Sequence, residues 1–193
     1  KQALCGGYTK AFQYLAEAAG IRCTTVTGHK KDGESHVWNL VVLDSECYYI
    51  DVTWDDPVFM IDDRFSEDRG EVFYNFCITE DELLRTHIID GEQNIALPQC
   101  TAVKYNYFIY HDAYLETYTL EGVARILKTA ANAAHKMAYI KFGGAEEMQL
   151  AIRELFEKKE IFDILAAAGC ETGTASYSRD AEHYILTVDF GYV

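Results

Sequence analysis

The chain has no long apolar run, no cluster of basic residues and no paired-cysteine motif, and each absence removes a class of protein. No hydrophobic stretch approaches the roughly 20 residues needed to cross a bilayer, so no membrane span is expected. Lys and Arg number 17 against 31 Asp and Glu, a formal charge of −14. Without a basic face there is nothing to neutralise a phosphate backbone, and nucleic acid is excluded as a partner. The six cysteines, at positions 5, 23, 47, 77, 100 and 170, form no Cys-x-x-Cys pair. That excludes a zinc ribbon or a dense disulfide framework, and scattered Cys and His lack the spacing of a metal site; no metal or other cofactor is expected. Only two prolines occur, and there is no internal repeat or low-complexity tract. Position 1 is Lys and not an initiator Met, so the expectation is a processed or excised chain from which any signal peptide is already gone. A secreted or cell-surface location is preferred over a cytoplasmic one.

What is present is an ordinary globular composition. With 193 residues, 49% apolar and 25% charged, the chain is long enough for one domain plus a small appendage. Phe12, Leu15 and Ala19 recur at helical spacing and stop at Gly20, which predicts a helix over Tyr8 to Ala19. Arg22 to Thr27 reads as a strand closed by Gly28. His36 to Leu43 and Cys47 to Thr53 read as an antiparallel hairpin about Asp44-Ser45-Glu46. Ile61 to Glu71 has the composition of a surface loop, and Val72 to Ile78 that of a strand. Thr79-Glu80-Asp81-Glu82 is a capping-box pattern opening a brief helix towards His87.

The Gly, Pro and polar residues of Asp90 to Gln99 place a boundary between domains 1–97 and 98–193. Beyond it the pattern predicts an aromatic strand from Tyr105 to Tyr110 that can extend to Tyr118, then a helix with apolar residues at 120, 123, 124, 127, 131 and 134. A strand from Met137 to Phe142, a helix from Ala145 to about Ala168 and a strand or hairpin within Thr174 to Phe190 follow. That order implies a small sheet covered by helices.

Chemistry concentrates in the first domain. Cys5 precedes Gly6-Gly7 and the first helix, whose amino end would favour a thiolate; a free thiol, at a pKa of about 8.5, is mostly protonated at neutral pH. Gly6 and Gly7 leave room for a substrate backbone. His36 and Asp51 lie on the two strands of the hairpin, and parity decides whether they meet. A two-residue Asp44-Ser45 turn pairs Leu43 with Glu46, sets Asp51 across from Trp38, and leaves it one diagonal step from His36 on the same face. A three-residue turn with a regular ladder would put the carboxylate on the wrong side. In the first arrangement Asp51 orients the His36 imidazole, which exchanges a proton with Cys5, and the sulfur attacks an amide carbonyl. The Cys5 backbone N–H is a candidate donor to the resulting oxyanion.

The runs Leu4-Cys5-Gly6-Gly7-Tyr8-Thr9-Lys10-Ala11-Phe12, His36-Val37-Trp38-Asn39-Leu40-Val41 and Tyr49-Ile50-Asp51-Val52-Thr53-Trp54-Asp55-Asp56-Pro57 resemble the core motifs of the bacterial transglutaminase-like proteins, a branch of the papain-like cysteine-protease superfamily. The likeness covers roughly residues 3 to 87, and three motifs in order are more specific than any one alone. It implies an α+β fold, a papain-like or transglutaminase-like core with an antiparallel sheet and a nucleophile helix, followed by a small α/β accessory domain. It implies a catalytic triad of Cys5, His36 and Asp51. The family usually carries helical sequence before the nucleophile, yet only four residues precede Cys5. By analogy Gln2 is a candidate oxyanion donor.

The expected activity is cysteine-dependent acyl transfer on a peptide or protein substrate, with hydrolysis preferred over transamidation because no amine-acceptor site is evident. A cell-wall or surface-associated partner fits the same reading, and a non-catalytic binding module that keeps the scaffold is the alternative. The remaining cysteines read as small buried hydrophobes. Trp38 and Trp54 read as core or cleft wall, Asp55 and Asp56 as turn residues before Pro57, and His29 and His87 as surface or capping residues.

Overall fold

The computed structural model describes residues 5–56, 60–61, 64–65, 73–91, 97–170 and 173–191. Within them the chain is α+β and divides into two compact units, Lys1–Tyr107 and Phe108–Val193. Helix α1 (Cys5–Ala18) is followed by strands β1 (Arg22–Lys30), β2 (Ser35–Leu43) and β3 (Glu46–Ile50). The helix ends as the sequence predicts, with Gly20 at φ 78°.

Short elements complete the first unit: β4 (Met60–Ile61) paired with β5 (Arg64–Phe65), then β6 (Phe76–Ile78), α2 (Glu80–Leu83) and β7 (His87–Ile89). The expected loop over Ile61 to Glu71 and the expected strand start at Val72 fall largely outside the described residues. The Thr79 capping box is present, its side chain and that of Glu82 each taking the other's backbone N–H. Five strands form one sheet in the order β6-β3-β2-β1-β7.

Alternation along these strands feeds two cores. Val26, Trp38, Leu40, Tyr49 and Ile78 pack on one face with Leu83 and Cys100, while Val41, Tyr48, Ile50 and Cys77 pack on the other with Phe12 of α1. Leu97 joins the first cluster, and Ala102 and Tyr105 the second. The stretch 97–107 therefore belongs to the first unit, and the division falls about ten residues later than the composition change at 97 implies.

One glycine differs from its expected role. Gly28 does not close β1; the strand runs through it to Lys30. A β-carbon there would lie 2.1 Å from the Ile88 carbonyl oxygen and 2.6 Å from the Trp38 ring, so the missing side chain lets β7 approach β1.

α3 (Tyr107–Tyr110) starts at the last residue of the first unit, and in the second β8 (Tyr114–Leu115), α4 (Leu120–Asn132), β9 (Met137–Phe142), α5 (Ala145–Ile152), α6 (Glu160–Ala167), β10 (Ser176–Asp180) and β11 (Ile185–Asp189) follow in order. The sheet order is β10-β11-β9-β8, with β8 parallel to β9 and the other pairs antiparallel. α4, β9 and the final hairpin match the sequence reading. Two expectations fail. The aromatic run at Tyr105 to Tyr110 is a turn and a short helix, because a short aromatic run carries no periodicity that separates the two states. The long helix from Ala145 is interrupted: a π-helical turn spans Arg153–Glu157, and Lys159 takes φ 64°. Met148, Ala151, Ile152 and Leu155 are buried, and the same phase would bring Lys158 and Lys159 into the core. The break resets the phase so that Ile161, Ile164 and Leu165 point inwards.

Candidate functional site

The turn at Asp44 and Ser45 has two residues, at φ 49° and 70°, the mirror-image geometry that matches the twist of paired strands. Leu43 pairs with Glu46, and the ladder runs to Asn39 opposite Ile50. The next step puts Asp51 across from Trp38, on the face that also carries His36. There His36 Nε2 and Asp51 Oδ2 stand 2.5 Å apart, with both residues buried.

β3 ends at this point because Asp51 turns the chain. Its Oδ1 accepts from the backbone N–H of Thr53 at 3.0 Å and of Trp54 at 3.2 Å, and its own N–H donates to the Asn75 carbonyl. Burial alone would raise the Asp51 carboxyl, but the hydrogen bonds and charges of His36 and His87 outweigh it and hold the group below the ordinary carboxylate range.

His87 is the residue that sequence reasoning misplaced. It is buried and not a surface or capping residue. Its Nε2 lies 3.1 Å from the same Asp51 Oδ2, and its Nδ1 lies 2.8 Å from Thr86 Oγ1. β7 delivers it by pairing His87 with Lys30 and Ile89 with Gly28, the residue that pairs on its other side with His36. The run Thr86-His87-Ile88-Ile89 carried a signal, since a histidine beside β-branched residues suits a strand better than a helix end.

Trp38 is fully buried, its ring edge-on to His87 at 4.8 Å. Half-buried Trp54 lies 4.6 Å from His87 and 5.9 Å from His36. Both indoles stand beside the two imidazoles. Asp55 donates its N–H to the Asp51 carbonyl, and its Oδ1 accepts from the backbone and side-chain N–H of Asn75. Burial pushes its carboxyl up to about 7, the Asn75 bonds oppose this, and the Asp51 charge adds to it. Pro57, the end of that turn, lies outside the described residues.

Cys5 opens the described part of α1 and is half-buried; Gly6 is exposed with open space where a β-carbon would be. Among the described residues Cys5 and His36 share no hydrogen bond, so the triad is not assembled by direct contact. α1 covers the sheet face of Val41, opposite the imidazole cluster, but its first turns reach the open edge of β2. The Thr27 carbonyl is taken by the Asp90 N–H on the β7 side. The Thr27–Val37 pair is therefore of the non-hydrogen-bonded kind, and the Val37 carbonyl points to the β3 side, past the end of that ladder. Thr9 Oγ1 donates to it at 3.1 Å. Tyr8 donates its hydroxyl to Asp56 at 2.5 Å, two residues from Trp54. Cys5 also sits close enough to Lys30, at the His36 end of β1, to contribute to raising the Lys30 pKa, behind the larger effect of Glu34. Gln2 lies outside the described residues.

His36, Asp51 and His87 bring three ligand-type atoms within 4.8 Å of one another. Their spacing is that of hydrogen bonds. A metal with bonds of about 2.0–2.2 Å would require both Nε2 atoms to lose their protons and the 2.5 Å contact to open. In the second unit a groove between α4 and α6 is lined by Leu120, Ala124, Arg125, Lys128, Asp163 and Ile164 among others, with no imidazole or thiol. No helix among the described residues is long and apolar enough to cross a membrane. No protein-family model matches the chain, and no curated protein matches it.

Proposed function

We propose that the protein is a thiol acyl-transfer enzyme of transglutaminase-like, papain-related type, with Cys5 as nucleophile, His36 as general base and acid, and Asp51 as the group that orients the imidazole. The observation that carries this reading is the buried His36 Nε2–Asp51 Oδ2 contact of 2.5 Å. It leaves Nδ1 as the nitrogen free to take a proton.

The placement of α1 supports the same reading. Lys10 bonds Thr25 and Gln13 bonds Cys23, so α1 runs alongside β2 in the same direction. Cys5 stands one turn, about 6 Å, before Thr9. That rise equals about two strand residues, so from Thr9 beside Val37 it carries the sulfur back to the level of Ser35 and His36, at the edge where β3 has left the sheet. In this reading, rotation of the Cys5 side chain and a shift of the first turn are required to bring the sulfur to His36.

In the reaction the Cys5 thiol proton passes to His36 Nδ1 and the sulfur bonds to the amide carbonyl carbon. The tetrahedral oxyanion collapses as the C–N bond breaks, and the imidazolium gives its proton to the leaving amine. Water then adds to the thioester with His36 as base, releasing the carboxylate and the Cys5 thiol. The indole walls of Trp38 and Trp54 restrict water around the ring. Hydrolysis of peptide or protein amides is the preferred outcome, and a primary amine in place of water makes the enzyme a transamidase. The substrate is a peptide or a protein, with a cell-surface or secreted setting favoured.

The missing Cys5–His36 bond favours a second reading, a binding module that retains the scaffold. Labelling with a haloacetamide separates the two. As an enzyme, Cys5 alkylates at neutral pH at least about 10-fold faster than the half-buried Cys23 and Cys47, and thiol-sensitive turnover of a peptide library is lost in Cys5→Ala. Equal labelling rates and no turnover, with or without added amine, would establish the binding module.

A further inference from the structure

We infer that His87, a residue outside the proposed triad, is a positioning residue of the site: its Nε2–H, with Nδ1 on the Thr86 hydroxyl, holds the Asp51 carboxylate as an anion aimed at His36. The consequence at Cys5 rests on the thiol-enzyme reading, whereas the arrangement itself does not.

The hydrogen-bond capacity of Asp51 is fully used. Oδ1 accepts from the Thr53 and Trp54 N–H groups, and Oδ2 faces His36 at 2.5 Å and His87 at 3.1 Å. A carboxylate offers about four such places. Asp51 is 1% exposed, so no bulk water stands ready to replace a lost donor. Removing His87 leaves a buried carboxylate oxygen short of one bond, which favours its protonated form.

The Asp51 carboxylate decides which His87 nitrogen carries the proton, and the Thr86 hydroxyl can satisfy the other. That hydroxyl has one hydrogen and lies 2.8 Å from His87 Nδ1 and 3.3 Å from the Leu83 carbonyl. Donated to Nδ1, that hydrogen leaves Nε2–H pointing at Asp51. The opposite assignment sets a bare Nε2 lone pair against a carboxylate, or needs a second buried cation beside a single anion once His36 takes the thiol proton. Trp54 and Trp38 flank the ring at 4.6 and 4.8 Å.

The charged and titratable groups around Asp51 are His36 from β2, His87 from β7 and Asp55 from its own loop. Lys30 of β1 pairs with His87, and α1 brings the Tyr8–Asp56 bond near the loop. The Asp51 charge raises Asp55, which is protonated where Asp51 ionises, and only the two imidazoles favour the Asp51 anion through side-chain bonds. Loss of the His87 bond therefore moves Asp51 protonation to higher pH.

The test is the pH profile of Cys5 alkylation on the full chain, from about pH 4 to about pH 8, for the unaltered protein, His87→Phe and His87→Gln. Phe keeps a ring between the indoles but has no donor, and Gln restores an N–H. The acid limb is expected to rise by about one pH unit in H87F, a roughly 10-fold slower reaction on that limb, and to stay in place in H87Q. An unmoved limb in H87F, or an equal move in H87Q, overturns the inference. If H87F does not fold, 15N NMR of the unaltered protein decides: Nε2–H at His87 is expected, and a bare Nε2 overturns it. If Cys5 of the unaltered protein reacts no faster than Cys23 and Cys47, the enzyme reading fails. The Asp51 13C-carboxyl titration, compared between the unaltered protein and H87F or H87Q, then tests the role of His87 alone: an upward move is expected on loss of the donor, and no move overturns it.

Discussion

Asp51 and Asp55 lie in one loop and both are buried, yet their carboxyls are driven in opposite directions. Donors surround Asp51, whereas Asp55 Oδ2 has no hydrogen-bond partner among the described residues. The consequences for stability have opposite signs. Asp51, depressed in the folded state, contributes stability above its unfolded value near 4, and this is lost as pH falls through the folded value. Asp55, pushed up to about 7, binds its proton more tightly when folded. Its contribution is complete below about pH 4 and is lost as pH rises towards 7. Asp55→Asn should flatten that alkaline decline and raise stability at about pH 8 by on the order of 2–4 kcal/mol. Urea midpoints across pH for the two proteins measure it, and parallel curves would show that Asp55 ionises without cost.

At the scale of elements, backbone pairing brings the polar cluster together. The Asp44-Ser45 turn sets the parity that aligns Asp51 with His36, and Gly28 lets β7 approach β1 closely enough for His87 to join them. Gly28→Ala puts a methyl group against both the Ile88 carbonyl and Trp38, and neither belongs to a flexible chain end. The strands must part or the indole must move, at a cost of about 2–3 kcal/mol. The loss should concentrate at β7: hydrogen exchange at Ile88 and Ile89 should accelerate more than at β2 and β3. Uniform acceleration would mean that β7 is not a separately yielding element.

At the scale of the molecule, each unit has its own apolar core, and the stretch 97–107 decides where the first one ends. Leu97, Cys100, Ala102 and Tyr105 pack on its two clusters, and the Cys100 carbonyl accepts the Glu80 N–H at 2.8 Å. A fragment of residues 1–107 should unfold cooperatively in urea and keep the reactivity of Cys5. A fragment of residues 1–97 should show a lower midpoint, because it exposes one side of both clusters. Equal midpoints would place the boundary where the composition changes.

Local chemistry was legible in the sequence. The capping box at Thr79, the α4 stripe, β9, and the shared face of His36 and Asp51 each follow from short-range periodicity or turn length, forces that act within a few residues. The break in the long helix was also written there, in Lys158 and Lys159 at core-phase positions, although the apolar count around them concealed it. Tertiary structure alone decided the rest. His87 becomes part of the site because β7 lands beside β1, Gly28 is a contact point because Ile88 arrives from 60 residues away, and the start of α1 is held at the edge of β2 because a carbonyl stranded there accepts from the Thr9 hydroxyl. Such pairings depend on which distant groups are left without partners once the local elements have formed, and no window of neighbouring residues carries that information.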